Sequence, residues 1–176
     1  MAVAALAIGK PTARPVHVTF AEAAEAHLDG VYRYLWQFTG DAHLAEDLTS
    51  ETFERALRMW ERYDPSRGPV LAWLVTMARR IALDHFRSDS RRRSREARVA
   101  AGEARTALPP SEPGELPAEL AAALRTLSDA EREVVALRVL LDLDGSEAAA
   151  VLGISPTACS TQLHRAMTKL RKELSR

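Results

Sequence analysis

Arginine side chains are concentrated in one part of this chain. Residues 79–98 contain eight arginines and three acidic residues, and this run continues an apolar helical pattern instead of standing alone. A basic segment of this kind is typical of a surface that binds nucleic-acid phosphates. The alternative is a solvated and partly disordered run, and the pattern alone leaves both interpretations open.

A second group of polar side chains lies near the C-terminus, on a stretch with helical periodicity. Its apolar face is predicted to hold Cys159, Leu163, Ala166, Leu170 and Leu174. The remaining surface carries side chains suited to base edges and phosphates, which are Thr157, Ser160, Thr161, Gln162, His164 and Arg165. Basic residues further along add positive charge, although they would also complement the dipole at a helix end.

A predicted second helix, on the N-terminal side of the arginine run, carries more acidic than basic side chains. The acids are Asp41, Glu46, Asp47, Glu51, Glu54 and Glu61, against three arginines at 55, 58 and 62. Such a surface repels DNA but can dock on a protein. Tyr63 and Trp73 flank the loop that follows, where a flat ring beside cations can stack on an unpaired base. For Trp73 the pattern favours core packing instead.

Composition excludes several classes of function. The chain has 176 residues, equal numbers of basic and acidic residues at 24 each, one cysteine and five histidines. A single cysteine excludes an intramolecular disulfide framework and a zinc site with several thiolates. The histidines lack metal-ligand spacing, and neither a phosphate-binding glycine loop nor a nucleophile elbow is present. We therefore expect no catalytic set, no metal and no cofactor.

The sequence also bears on location. No apolar run approaches membrane-spanning length, and the apolar residues 1–8 have no basic segment before them. We expect a soluble cytoplasmic protein whose residues 1–17 are disordered.

Helical periodicity organises the first part of the chain. Apolar residues from Phe20 to Phe38, including Leu28, predict a first helix, and Asp41 is the predicted N-cap of a second helix that ends near Tyr63. Its apolar stripe includes Leu57. Residues 64–69 are dense in turn formers and predict a short ordered loop, after which a third helix runs from about residue 70 into the late eighties, with His85 on its apolar side.

The last part of the chain is also predicted to be helical, after a linker at residues 99–116 that is rich in proline and glycine. A helix over 116–127 precedes capping patterns at 128–131 and 144–147. Gly153 and the Ser155-Pro156 pair then predict a short helix, a turn and a longer helix. This order is typical of a helix-turn-helix, whose second helix can enter the major groove of DNA.

These elements predict an all-α protein with two small helical domains joined by a flexible linker. We expect the boundaries to be a disordered N-terminus at 1–17, a first domain at 18–98, a linker at 99–116 and a second domain at 117–176.

Particular strings resemble a known family. Residues 45–56 (AEDLTSETFERA) and 72–87 (AWLVTMARRIALDHFR) resemble region 2 of the extracytoplasmic-function (ECF) sigma factors of the sigma-70 family. Residues 127–174 resemble region 4, through the strings EREVVALR at 131–138, LGIS at 152–155 and LHRA at 163–166. The resemblance covers residues 20–174 apart from the linker. The presence of both domains in this order indicates the family more specifically than any one of these strings does.

The resemblance implies a promoter-recognising partner of RNA polymerase and not an enzyme. Region 2 would dock on the polymerase clamp helices through Glu46, Asp47 and Glu51. It would also engage the minus-10 element and hold a flipped base through Tyr63, Arg67, Arg79, Arg80, Asp84 and Arg87. Region 4 would recognise the minus-35 element through the six polar residues of its last helix. The implied partners are core RNA polymerase, promoter DNA and, as in many members, an anti-sigma factor, with no small-molecule substrate.

The chain departs from the family at three of these positions. Members commonly carry lysine or arginine where this chain has Ser160 and Gln162, and often asparagine where it has Arg80. Loss of two cations should weaken the attraction of this helix for phosphate. Two other functions remain open, which are a helix-turn-helix regulator that works without polymerase and a helical adaptor that binds only proteins.

Overall fold

The first half of the chain folds into three long helices. In this computed structural model, which describes residues 18–96 and 118–175, α1 spans Phe20–Thr39, α2 spans Ala42–Met59 and α3 spans Val70–Glu96. Two short 3-10 turns, Trp60–Arg62 and Pro65–Arg67, connect α2 to α3. We call residues 18–96 the N-terminal unit. Its three predicted helices are confirmed, and α3 continues further into the arginine run than the periodicity indicated.

The second half consists of shorter helices. Helix α4 spans Ala118–Arg125, α5 spans Asp129–Val135, α6 spans Gly145–Leu152 and α7 spans Pro156–Leu174. A π-helical turn at Ala136–Leu140 extends α5. We call residues 118–175 the C-terminal unit. Within the two described ranges the chain forms no strand, and the predicted all-α class with two small helical domains is confirmed.

Side-chain caps explain where several helices begin. The Asp41 carboxylate accepts a hydrogen bond from the amide of Leu44 at 3.1 Å and so begins α2, as the sequence predicted. Ser128 and Asp144 begin α5 and α6 with full capping boxes. Gly153 ends α6 at a φ of 71°, in the left-handed region that glycine adopts without a steric cost.

The predicted apolar stripes are correct at their centres and wrong at their edges. Val31, Leu35, Leu48, Leu74 and Ala78 are buried. Leu28 and Leu57, by contrast, are 51% and 58% exposed, because each lies on a part of its helix that no other helix of the described residues covers. His85 and Leu174 are also exposed, so the predictions for these four side chains were wrong.

The two units share one apolar core. Buried residues of α1, α2 and α3 form a single cluster with residues of the π-helical turn, α6 and α7. Helix α3 contacts α6, and α1 contacts the π-helical turn. Gly30, in the middle of α1, leaves room for this packing, because a Cβ at that position would lie 3.3 Å from Cδ2 of Leu141. The sequence predicted two separate domains and gave no sign of this contact.

The predicted disordered N-terminus at 1–17 and the predicted linker at 99–116 lie outside the described residues. In the part of the chain that is described, no helix combines the length and the apolar character needed to cross a membrane.

Candidate nucleic-acid interface

Helix α2 presents carboxylates to solvent and apolar groups to the core. Glu46, Asp47 and Glu51 are all exposed. The opposite face is buried, and it includes Thr49 and Thr52. Their hydroxyls donate hydrogen bonds to carbonyl oxygens one turn earlier in α2, at 2.7 and 2.6 Å, so the buried polar atoms are satisfied. The three acids therefore form one accessible negatively charged surface.

The loop between α2 and α3 is ordered by its own side chains. The Tyr63 hydroxyl donates a hydrogen bond to the carbonyl oxygen of Gly68 at 3.0 Å. Oδ1 of Asp64 accepts hydrogen bonds from the amide and hydroxyl of Ser66 at 3.0 and 2.7 Å. These bonds lower the pKa of Asp64 and keep its carboxylate charged. These hydrogen bonds within the loop fix the position of Tyr63.

Aromatic rings surround Tyr63. Its ring stacks on Trp60 with centroids 5.4 Å apart and is tilted against Trp73 at 5.6 Å. Trp73 is half-buried and packs against the apolar core. Core packing was the favoured interpretation for Trp73, and this is where the structure places it, although part of its ring still faces the loop.

A cavity of about 320 Å³ lies beside this aromatic group. Four arginines line it, against two acidic residues, Asp64 of the loop and Glu147 of α6. The arginines are Arg55, Arg62, Arg67 and Arg80. An excess of guanidinium groups beside flat rings suits a base with its phosphates.

Arg55 and Arg62 are new members of this site. From the sequence these two arginines were expected only to offset part of the negative charge of an acidic helix. Arg55 belongs to α2, whereas Arg62 belongs to the 3-10 turn that follows it. In the single helix to about Tyr63 that the sequence predicts, their spacing of seven residues would place both on one face, and that spacing was the signal that could have found them.

Arg79 points away from this cavity and is bound by the C-terminal unit. Its Nε donates a hydrogen bond to Oε1 of Glu133 at 2.6 Å, and its Nη2 lies 3.4 Å from Oε2. The Tyr34 hydroxyl donates to the same Oε1 at 2.8 Å. Only 25% of the Arg79 side chain and 10% of the Glu133 side chain are exposed. Burial alone would lower the pKa of Arg79, but the bond and charge of Glu133 raise it, so the guanidinium stays charged.

The structure therefore brings together only part of the predicted minus-10 set. Tyr63, Arg67 and Arg80 line the cavity. Asp84 and Arg87 lie further along α3, exposed and paired with each other at 3.1 Å. Arg79 is occupied by Glu133. No sequence pattern pointed to the cluster of Tyr34, Arg79 and Glu133, because its members come from α1, α3 and α5.

Helices α6 and α7 form the predicted helix-turn-helix. Five of the six candidate residues on α7 are exposed and Gln162 is half-buried; the exposed ones are Thr157, Ser160, Thr161, His164 and Arg165. The Thr161 hydroxyl donates a hydrogen bond to the carbonyl oxygen of Thr157 at 2.9 Å, which leaves its oxygen free only to accept. Cys159 lies on the buried face, where desolvation raises the pKa of its thiol.

Comparison with known proteins identifies both units. Residues 23–92 match sigma-70 region 2, and residues 118–170 match sigma-70 region 4. The ECF RNA polymerase sigma factor SigM of Bacillus subtilis is 31% identical, over 88% of this chain and 94% of the relative. The ECF RNA polymerase sigma factor BldN of Streptomyces coelicolor is 36% identical, over 88% of this chain and 60% of BldN.

A solved structure has the same fold. The sigma factor RpoE, crystallised with the anti-sigma factor NepR from Bartonella quintana, has a TM-score of 0.69 at 24% identity, over 89% of this chain and 96% of RpoE. The chain spans about 60% of the length of the first curated relatives that it matches. It belongs to the ECF sigma factors of the sigma-70 family.

Proposed function

We propose that this protein binds core RNA polymerase and directs it to promoters by recognising a minus-10 and a minus-35 element. The observation that carries the proposal is the group of arginines beside Tyr63 and Trp73, in a unit that matches sigma-70 region 2. The protein catalyses no reaction in this scheme. It supplies binding energy that captures a transiently opened duplex.

Docking on polymerase is assigned to the exposed acids of α2, which are Glu46, Asp47 and Glu51. Because these side chains share one solvent-facing surface, they can meet a basic partner surface without any rearrangement of the helix. Their negative charge also steers the N-terminal unit so that DNA approaches from another side.

Recognition of the minus-10 element is assigned to the loop and α3. An unpaired base would stack against the Tyr63 ring, while Arg67 and Arg80 hold the flanking phosphates. The remaining members of the predicted set, Arg79, Asp84 and Arg87, would extend this contact along α3. Residues 18–98 thus form the polymerase-docking and minus-10 unit in this proposal.

Recognition of the minus-35 element is assigned to α7 within residues 117–176. His164 and Arg165 lie on the exposed face with the hydroxyls of Thr157, Ser160 and Thr161. Hydroxyls and amides contact base edges, whereas Arg165 can bind a phosphate or a guanine. Two weak DNA contacts suffice, because both units are delivered by the same polymerase.

Two further assignments complete the proposal. An anti-sigma factor is a candidate partner, since RpoE is bound to the anti-sigma factor NepR in the related structure. The proposed place of work is the bacterial cytoplasm, where RNA polymerase meets promoter DNA.

The decisive experiment is run-off transcription from genomic fragments by sigma-free bacterial core polymerase with the purified chain. We expect defined transcripts that require the protein. A variant with Glu46, Asp47 and Glu51 all changed to alanine should bind polymerase at least tenfold more weakly. The matched control loses the same charge from exposed acids outside this acidic surface, with Glu25, Asp29 and Glu119 changed to alanine, and should keep full binding.

The opposite result is equally informative. If the wild-type chain forms no complex with core polymerase, the sigma assignment fails, and a helix-turn-helix regulator that binds DNA by itself becomes the better interpretation.

A further inference from the structure

The two units are joined by a buried charged contact between α3 and α5. Glu133 of the C-terminal unit receives hydrogen bonds from Arg79 and Tyr34 of the N-terminal unit, and its side chain is 10% exposed. We call these three residues the Glu133 latch. Arg79 belongs to the proposed minus-10 set, and in this structure an acid of the other unit binds it.

The carboxylate of Glu133 binds Arg79 as a DNA phosphate would. Two guanidinium nitrogens, Nε and Nη2, face the two carboxylate oxygens, at 2.6 and 3.4 Å. Planar two-oxygen recognition of this kind is common to carboxylates and phosphates. Arg79 cannot bind both at once, so Glu133 and the DNA backbone compete for one guanidinium group.

The same packing also covers the cavity. Glu147, Ala150 and Val151 of α6 form one wall of the cavity that holds Tyr63 and Arg80 on its other side. A strand of DNA that entered to stack on Tyr63 would meet α6. Closure of the units therefore obstructs the aromatic stack and the arginine contact together.

Gly30 allows this closure sterically. It lies in the middle of α1, where glycine costs about 1 kcal/mol relative to alanine. A Cβ there would lie 3.3 Å from Cδ2 of Leu141 and 3.8 Å from Cδ1 of Leu71. The first of these neighbours belongs to the C-terminal unit, so the small residue serves the contact between units as well as the helix.

We propose that Glu133 is an internal substitute for a DNA phosphate at Arg79, so that this carboxylate of the C-terminal unit must leave the guanidinium group before Arg79 can bind DNA. Tyr34 holds the carboxylate in place, and the α6 wall lies over the aromatic group in the same arrangement. This inference rests on the proposed function, because it concerns the same minus-10 surface.

Two variants weaken the closed form by different means. Glu133→Gln keeps the shape and the acceptor for Tyr34 but removes the charge that holds Arg79. Gly30→Leu keeps α1 helical and places a bulky side chain against Leu141. Glu119→Gln, at an exposed position of α4, is the matched control for the loss of one negative charge.

Each full-length variant is tested by fluorescence anisotropy with a short fluorescein-labelled single-stranded oligodeoxynucleotide, in the absence of polymerase. We expect the wild-type chain and Glu119→Gln to bind weakly, and Glu133→Gln and Gly30→Leu to bind about tenfold more tightly. Small-angle scattering should show a larger radius of gyration for these two variants. Circular dichroism confirms that all four proteins are equally helical, and Glu133→Gln remains informative if Gly30→Leu does not fold.

Unchanged DNA affinity in a folded Glu133→Gln variant would overturn the latch, whatever its radius of gyration. Run-off transcription with core polymerase separates this failure from failure of the proposed function. If wild type and variants all support transcription but no variant binds DNA more tightly, the latch is contradicted and the sigma function stands. If none of the proteins supports transcription, the sigma function is contradicted, and the affinity measurements still test the latch.

Discussion

Tyr34 and Glu133 are separated by 99 positions in the chain and joined by a hydrogen bond of 2.8 Å. Tyr34 is 1% exposed and stacks on Phe38 with centroids 5.9 Å apart. Burial first, and then the charge and hydrogen bond of Glu133, raise the pKa of Tyr34 well above its ordinary value of 10.0. A phenol that stays protonated at neutral pH thus donates the hydrogen bond that fixes the acid between the units.

Removal of the Tyr34 hydroxyl should destabilise the protein. Tyr34→Phe keeps the stacked ring but leaves a buried carboxylate oxygen with one partner fewer, which costs about 1–2 kcal/mol. Urea unfolding followed by circular dichroism measures the change. Tyr63→Phe is the comparison, since its hydroxyl bonds a loop carbonyl near the surface, and we expect a smaller loss there.

Alkaline pH should unfold the protein through the same residue. Because the folded state raises the pKa of Tyr34, its contribution to stability is fully present below pH 10 and decreases as the pH rises above that value. The stability of wild type should therefore decline above about pH 10 more steeply than that of Tyr34→Phe. Parallel profiles for the two proteins would contradict the assignment.

Gly68 should be required for the loop that holds Tyr63. Its φ of 138° and ψ of 173° lie in a region that is essentially restricted to glycine. Gly68→Ala should cost about 1–3 kcal/mol through backbone strain alone, because nothing lies within 4 Å of the added Cβ. We expect run-off transcription to fall while polymerase binding persists.

Gly145→Ala is the matched control for this substitution. An added Cβ at Gly145 also meets nothing within 4 Å, but Gly145 is not among the glycines with positive φ. We therefore expect stability and transcription to be unchanged or slightly improved. Equal losses in both variants would show that strain at Gly68 is not the cause.

Local patterns in the sequence predicted the local structure of this protein well. The N-caps at Asp41 and Ser128 are correct because capping depends on residues three positions apart. The partner of Arg79 was out of reach, because Glu133 lies 54 positions away and nothing in either helix marks it. Gly30 was missed for the same reason, since the side chain that needs its space belongs to the other unit.

Acidic pH should destabilise the C-terminal unit through Glu131. Its Oε2 accepts hydrogen bonds from Nζ of Lys169 at 2.7 Å and from the amide of Ser128 at 2.8 Å. The bond from Lys169, followed by that from Ser128, lowers the pKa of Glu131 below its ordinary value of 4.5.

The contribution of a lowered pKa is present above pH 4.5 and is lost as the pH falls through the folded-state value. Glu131→Gln should cost about 1 kcal/mol at pH 7, because it removes the ion pair with the half-exposed Lys169 and a negative charge in the first turn of α5, while the amide oxygen can still accept the hydrogen bond from Ser128. The difference from wild type should shrink below about pH 4. Glu25→Gln, on exposed α1 surface, should show neither effect.

Arg165 should contribute one phosphate contact to minus-35 binding. It is exposed on α7 beside His164, on a helix whose Ser160 and Gln162 carry no charge. Each phosphate contact contributes about 0.9 to the slope of log affinity against log salt concentration. Arg165→Ala should therefore reduce the magnitude of that slope by about 1 for the polymerase complex on a minus-35 promoter fragment.

The control is Arg125→Ala, which changes an exposed arginine of α4 outside the helix-turn-helix and should leave the slope unchanged. If the affinity falls for one promoter sequence but the slope stays constant, Arg165 binds a base edge and not a phosphate. Since Ser160 and Gln162 carry no charge, this helix would then attract the phosphates of the minus-35 element only weakly.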